Sequence, residues 1–179
     1  MVDFRAKVPQ VVKKSHKASI YKAWRALGGE NTDRKETKLM LSGEFKHTLD
    51  TKNRLFIPAK HREELGATFM VAKSIRENCL KVYSMEEWEE YISPILKLER
   101  KASEEVLRTL HRNAAPVSSD AQGRIVIPSA LVEYADIQKN AVVVGCGKYA
   151  EIWSEELYQA TMEELDMAEM VASLEACGL

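Results

Sequence analysis

Long apolar runs, paired cysteines and nucleotide-binding loops are all missing from this chain of 179 residues. No stretch approaches the ~18 consecutive apolar residues of a membrane span. The N-terminus has no apolar core of the kind a secretory signal needs. Cys79, Cys146 and Cys177 are odd in number and show no CxxC spacing. That pattern fits reduced thiols in a cytoplasmic protein and argues against a disulfide framework or a metal site. His16, His47, His61 and His111 are dispersed, none at ligand spacing with a Cys or another His. No P-loop, no GxGxxG and no Ser/His/Asp constellation is readable. The expectation is a chain with no catalytic residues, no metal, no cofactor, no membrane contact and no small-molecule substrate.

Charge is present in quantity but unevenly. The net charge is -1. Residues 1–41 hold 10 Lys/Arg against 4 Asp/Glu, whereas residues 151–179 hold 8 Asp/Glu and no Lys or Arg. A basic arm and an acidic tail therefore flank a nearly neutral body. The arm suits nucleic acid, and a solvated extension fits the same composition equally well.

The chain repeats itself at an interval of 70 residues. Asp50-Thr51-Lys52-Asn53-Arg54-Leu55-Phe56-Ile57-Pro58 returns as Asp120-Ala121-Gln122-Gly123-Arg124-Ile125-Val126-Ile127-Pro128. Val82-Tyr83-Ser84 likewise returns as Ile152-Trp153-Ser154. This duplication divides the chain into a basic extension (1–41), a first unit (42–92), a connecting helix (93–112), a second unit (113–158) and an acidic C-terminal helix and tail (159–179).

Hydrophobic period assigns the elements. In the arm, Ser19 to Leu27 carries a short apolar helical face. Glu44 to Asp50 alternates, with Phe45, His47 and Leu49 on one face, and Arg54 to Ile57 reads as its return strand. Pro58 opens a short helix closed by Gly66. Ser84 to Glu87 is a capping box. His61-Arg62-Glu63-Glu64 reads as a solvated helix face, and Trp88 and Trp153 as core. One helix is expected from Ser93-Pro94 to about His111, and one from about Glu155 to Ala176.

The repeated turn carries the chemistry. Asp, two ordinary residues, then Asn or Gly describes a type I turn followed by a left-handed residue. Asp50 and Asp120 can accept the turn amides, which makes them structural. Asn53 and Gly123 are the residue types that tolerate positive φ. Arg54 and Arg124, with Lys52 and Gln122 near the tips, remain available. A guanidinium suits bidentate contact with phosphate or guanine, while a plain ion pair with its own Asp is the structural alternative. Two related halves giving one Asp each also bring aspartic proteases to mind. Their Asp-Thr/Ser-Gly motif is absent, which excludes that chemistry.

At these residues the chain resembles the MraZ family of bacterial transcriptional regulators, within the wider AbrB/SpoVT group. The carriers are Gly43-Glu44-Phe45, the two Asp-x-x-x-Arg turns leading to Ile-Pro, and Glu151-Ile152-Trp153-Ser154; they cover about residues 41–165. The resemblance implies an α+β, mainly β fold: two AbrB-like swapped-hairpin β-barrel units with short helices and a C-terminal helix. It further implies a ring-shaped homo-oligomer in the cytoplasm, associated with the nucleoid. Its partner would be double-stranded DNA, as short direct repeats in the promoter of the division and cell-wall gene cluster. The DNA-binding residues would be Lys52, Asn53 and Arg54 in one turn, and Gln122, Gly123 and Arg124 in the other. The second turn has no lysine, so the first ranks as the stronger reader. The basic arm and Asn53 depart from the family pattern. The main alternative is a ring-forming scaffold that binds a partner protein through its arm or acidic tail. An antitoxin role is a third reading, and two full units argue against it.

Overall fold

In the computed structural model, residues 40–178 are described. The arm, with its expected helix over Ser19 to Leu27, lies outside them. The first half of the chain runs β1 (Leu41–Thr48), β2 (Arg54–Phe56), α1 (Ala59–Leu65), β3 (Thr68–Lys73), β4 (Leu80–Ser84) and α2 (Met85–Ile92). A 3₁₀ turn (Ser93–Lys97) and α3 (Arg100–Arg112) follow. The second half repeats the order as β5 (Ala114–Ser118), β6 (Arg124–Val126), α4 (Ser129–Tyr134), β7 (Asn140–Gly147), β8 (Ala150–Ser154) and α5 (Glu155–Glu163), before α6 (Met167–Ala176).

The halves are interleaved. Six strands form one sheet in the order β1-β7-β8-β4-β3-β5, while β2 and β6 form a separate ladder. All pairings are antiparallel. Swapping each strand for its counterpart in the other half reverses the six-strand order onto itself. Each half therefore gives its first strand to the other: Phe45 of β1 faces Val143 of β7, and Val117 of β5 faces Phe69 of β3. This corrects the expected hairpin between Glu44 to Asp50 and Arg54 to Ile57. The long β1 finds a full-length partner in β7, which the three-residue β2 could not offer.

Gly145 lets β1 lie close on β7. A Cβ there would fall well inside contact distance of the Leu41 and Ser42 backbone, so any side chain would force the strands apart.

Burial follows from the pleat. Alternate residues of β3 point to opposite faces, and both faces are covered. Phe69 and Val71 join a core shared by both halves, with Leu55, Ile125 and Ile152. Met70 and Ala72 join Tyr83 and Trp88 beneath α2, beside Leu110 of α3. That is why β3 reads as an unbroken apolar run. Trp88 and Trp153 are core residues, as expected. Pro58 and Pro128 both stand at helix N-caps, where a missing N–H does no harm. Ser84 and Ser154 cap the helices after β4 and β8, accepting from the Glu87 and Leu157 amides.

Two expected helices are broken. The segment after Ser93 winds as 3₁₀ around Pro94 and stops at Leu98, whose ψ of 164° is extended. Proline removes one N–H from that first turn, and the α-helix restarts at Arg100. The C-terminal helix is split at Asp166, whose Oδ1 accepts from Ala168 and Glu169 amides at 2.8 and 3.2 Å. A residue expected inside a helix is thus the N-cap of a new one. His61 is also corrected: it is fully buried, with Nε2 3.1 Å from the Ser42 carbonyl oxygen.

Candidate nucleic-acid interface

Each repeated turn is closed in the same way. The Asn53 amide donates to the Asp50 carbonyl at 2.9 Å, and the Asp50 amide to the Arg54 carbonyl at 3.1 Å. In the second turn, Gly123 donates to Asp120 at 2.9 Å, and Asp120 to Arg124 at 2.8 Å. Asn53 and Gly123 have φ of 55° and 80°, the left-handed conformation their residue types suggested.

The aspartates hold both turns. Asp50 Oδ1 accepts from the Lys52 and Arg54 amides, and its Oδ2 accepts from Arg54 Nε at 2.6 Å. Asp120 Oδ1 accepts from the Gln122 and Arg124 amides, and its Oδ2 from both Nε and Nη2 of Arg124. The Arg54 amide, helped by its guanidinium and the Lys52 amide, holds the Asp50 carboxyl down to about 2. The equivalent contacts lower Asp120. Each arginine is therefore paired with its own aspartate, and each remains about one-third exposed. Arg54 gives its aspartate Nε alone, so its two Nη groups are the freer pair of donors.

The ladder between β2 and β6 unites the turns. Arg54 faces Val126, Leu55 faces Ile125, and Phe56 faces Arg124. The ladder is extended at both ends: Ile57 donates to the Gly123 carbonyl at 3.0 Å, and Ile127 to the Asn53 carbonyl at 2.9 Å. Alternation then sorts the side chains. Leu55, Ile57, Ile125 and Ile127 point inward and are buried. Arg54, Phe56, Arg124 and Val126 share the outer face. The two arginines lie on a diagonal of that face, about 7–8 Å apart by sheet geometry and somewhat less between their Cβ atoms. Lys52 and Gln122 are exposed, at opposite ends of the ribbon.

Three residues of this surface escaped the sequence reading. Phe56 and Val126, opposite Arg124 and Arg54, are 37% and 58% exposed. Their two-residue offset from Arg54 and Arg124 was the available signal. Arg62 is the third. Its Nε donates to the Ile57 carbonyl at 3.0 Å, and its guanidinium carbon lies 5.8 Å from the Phe56 ring centroid. It also fills the space a side chain at Gly123 would need, within 2.9 Å of such a Cβ. On the other side of the ladder Asn53 Nδ2 donates to Ser129 Oγ at 3.1 Å. The two turns are thus buttressed differently. Gly123→Ala should destabilise the fold by about 1–2 kcal/mol, because alanine resists the left-handed conformation and its methyl displaces Arg62. Denaturant unfolding measures this.

Other groups are accounted for by packing. His47 is edge-on to Phe56, with ring centroids 5.1 Å apart, and burial lowers its pKa. Glu77, Cys79 and Glu151 bring ligand atoms within 4.8 Å of one another. Burial, reinforced by Glu151, pushes the Cys79 thiol up to about 12. Near neutral pH it is a packed thiol, and Glu151 is already bonded to Trp153 Nε1. No helix among the described residues is long and apolar enough to cross a membrane.

The sequence of this surface and its scaffold can be compared with known proteins. The family model of MraZ protein matches the chain twice, over residues 40–109 and 110–176. A protein of Caldicellulosiruptor saccharolyticus named transcriptional regulator MraZ is 41% identical over 145 residues, covering 78% of this chain and all of that protein. Its namesake in Caldanaerobacter subterraneus subsp. tengcongensis is 40% identical over 131 residues, covering 72% of this chain and 91% of its own length. The namesake in Clostridium tetani is 39% identical over 142 residues, covering 75% and 99%. Two family-model matches laid end to end over the two interleaved halves make this chain a member of the MraZ family.

Proposed function

We propose that this protein is a DNA-binding transcriptional regulator without enzymatic activity, and that the β2–β6 ribbon is its reading surface. The observation that carries the reading is the joining of both Asp-x-x-x-Arg turns in one ladder, with Arg54 and Arg124 on its outer face. A two-stranded ribbon fits the major groove of B-DNA, about 12 Å wide. Each guanidinium can meet phosphate or guanine there, and Phe56 and Val126 offer apolar contact for thymine methyl groups. Asp50 and Asp120 fix the arginines in advance, so less side-chain freedom is lost on binding. Lys52 and Gln122 reach beyond the ribbon at its two ends. The fold in this reading is the swapped-hairpin AbrB-like barrel, to which the exchanged first strands are well suited.

One ribbon makes few contacts and binds weakly alone. In this proposal chains assemble into a ring that presents several ribbons to direct repeats in a promoter, that of the division and cell-wall genes. Later contacts then become intramolecular and add roughly 10²–10⁴ in avidity. The protein would work in the cytoplasm, at the nucleoid.

The test is a mobility shift on DNA carrying tandem copies of the repeats upstream of this protein's own gene. Tandem copies should bind at least ~10²-fold more tightly than a scrambled duplex. The log–log salt slope should rise by about 0.9 for each phosphate neutralised. Equal affinity for both duplexes would favour the scaffold reading instead.

A further inference from the structure

The charges of the ribbon largely cancel. Arg54 is paired with Asp50 and Arg124 with Asp120. What remains at the tip of the first turn is Lys52. At the tip of the second stands Gln122, which carries no charge. Two neutralised pairs and one lysine give such a surface little hold on a polyanion, although phosphate contacts carry much of the affinity of a DNA-binding protein.

Arg62 lies where the second cation is missing. It belongs to α1 of the first half, yet its guanidinium covers the turn of the second. Its Nη2 lies 2.9 Å from the place a Cβ at Gly123 would take. Gly123 is buried although it stands in a tight turn, while its counterpart Asn53 is half-buried. On its other side the guanidinium carbon is 5.8 Å from the centroid of the Phe56 ring, which stands on the outer face of the ladder. The Ile57 carbonyl accepts from Nε at 3.0 Å. That bond fixes the plane of the group and leaves its four Nη hydrogens. Among the described residues no carboxylate pairs with Arg62, and Glu63 and Glu64 beside it in α1 are no exception. The side chain stays partly open to solvent. A planar guanidinium held in this way, unpaired and next to a reading strand, matches a phosphate group, which it can meet with two parallel N–H donors.

The second half has no equivalent. Seventy residues after Arg62 stands Val132, an apolar residue only 8% exposed. The first turn is tied to α4 by an uncharged bond instead, from Asn53 to Ser129. The turn that has a lysine thus lacks a helix arginine beside it, and the turn that lacks a lysine has one.

We infer that Arg62 is a phosphate anchor, reaching across from the first half to give the second turn the positive charge that Gln122 does not. The inference rests on the ribbon being the reading surface and adds a contact that is blind to base sequence. The two turns then grip the DNA backbone by different means: a mobile ammonium at one end, a clamped guanidinium at the other.

Mobility shifts over a series of salt concentrations test this on the full chain. Arg62→Met keeps the length of the side chain and its packing on Phe56 but removes the charge. Its affinity should fall by at least roughly ten-fold at equal salt, as for a lost charge-assisted hydrogen bond. The fall should be the same on tandem repeats and on a scrambled duplex, so that their ratio is unchanged. The log–log salt slope should become shallower by at least about 0.9, one phosphate for each ribbon engaged. Arg62→Lys should restore the slope. Arg62→Gln gives the same reading if the methionine variant fails to fold by circular dichroism. An unchanged slope in the uncharged variants overturns the inference, and so does a lysine variant with the slope of the methionine one. A loss confined to the tandem duplex also overturns it, because Arg62 would then only prop up the turn. A wild type that binds both duplexes alike overturns the ribbon as the reading surface and this inference with it.

Discussion

Arg54→Ala is expected to lower affinity for a single DNA box by about 5- to 150-fold, which corresponds to 1–3 kcal/mol for one lost bidentate pair. On tandem boxes the loss compounds, because every ribbon of an assembly carries the same change. The fold should survive. Arg54 is one-third exposed, and Asp50 keeps its bonds from the backbone amides of residues 52 and 54 when the guanidinium is gone. The uncovered carboxylate adds repulsion toward phosphate, so the measured loss includes more than the missing contact. Arg124→Ala should cost less. Its guanidinium is already engaged twice by Asp120, and Gln122 rather than a lysine stands beside it. Mobility shifts on both variants, with circular dichroism as the control for folding, check the effect and its ranking. Undiminished binding by a folded Arg54→Ala protein would remove the ribbon as the reading surface.

Ile125→Ala is expected to reduce the unfolding free energy by about 2–5 kcal/mol. Ile125 is 0% exposed and faces Leu55, also 0% exposed, at the middle of the ladder. The missing atoms leave a cavity directly beneath the two arginines, in a site hemmed in by Ile57 and Ile127. A shift in the denaturation midpoint measures the loss. DNA affinity should fall as well, since the cavity lies under the strands that align the turns. Val126→Ala, one residue on and facing outward, should change stability by no more than about 0.5 kcal/mol. The contrast between neighbours tests the inward and outward assignment of β6.

Local features were legible in the sequence because their causes are local. The left-handed Asn53 and Gly123, the aspartates that accept the turn amides, and the Ser84 cap all depend on a few consecutive residues. The partner of each strand was not legible. A return strand after a tight turn ordinarily pairs with the strand before it, but β1 pairs with β7 and β2 with β6, choices made by burial 68 to 106 residues away. Arg62 was misread for the same reason. Its helix spacing suggests solvent, and only the other half's Gly123 explains where it lies. The halt at Leu98 and the restart at Asp166 were hidden because apolar spacing continues across both breaks. The arginines were identified by type, and the ladder shows that they share one face.

The exchange of first strands also constrains how the protein is made. During synthesis β1 emerges early, yet its partner residues lie up to 106 positions later, from Leu41 to Gly147. Neither half can complete its sheet alone, so native pairing must wait until most of the chain has left the ribosome. Contacts this distant along the chain slow folding and leave an unpaired edge exposed in the meantime. The small, charged stretch Ser42-Gly43-Glu44 at the start of β1 offers little to a wrong partner during that interval.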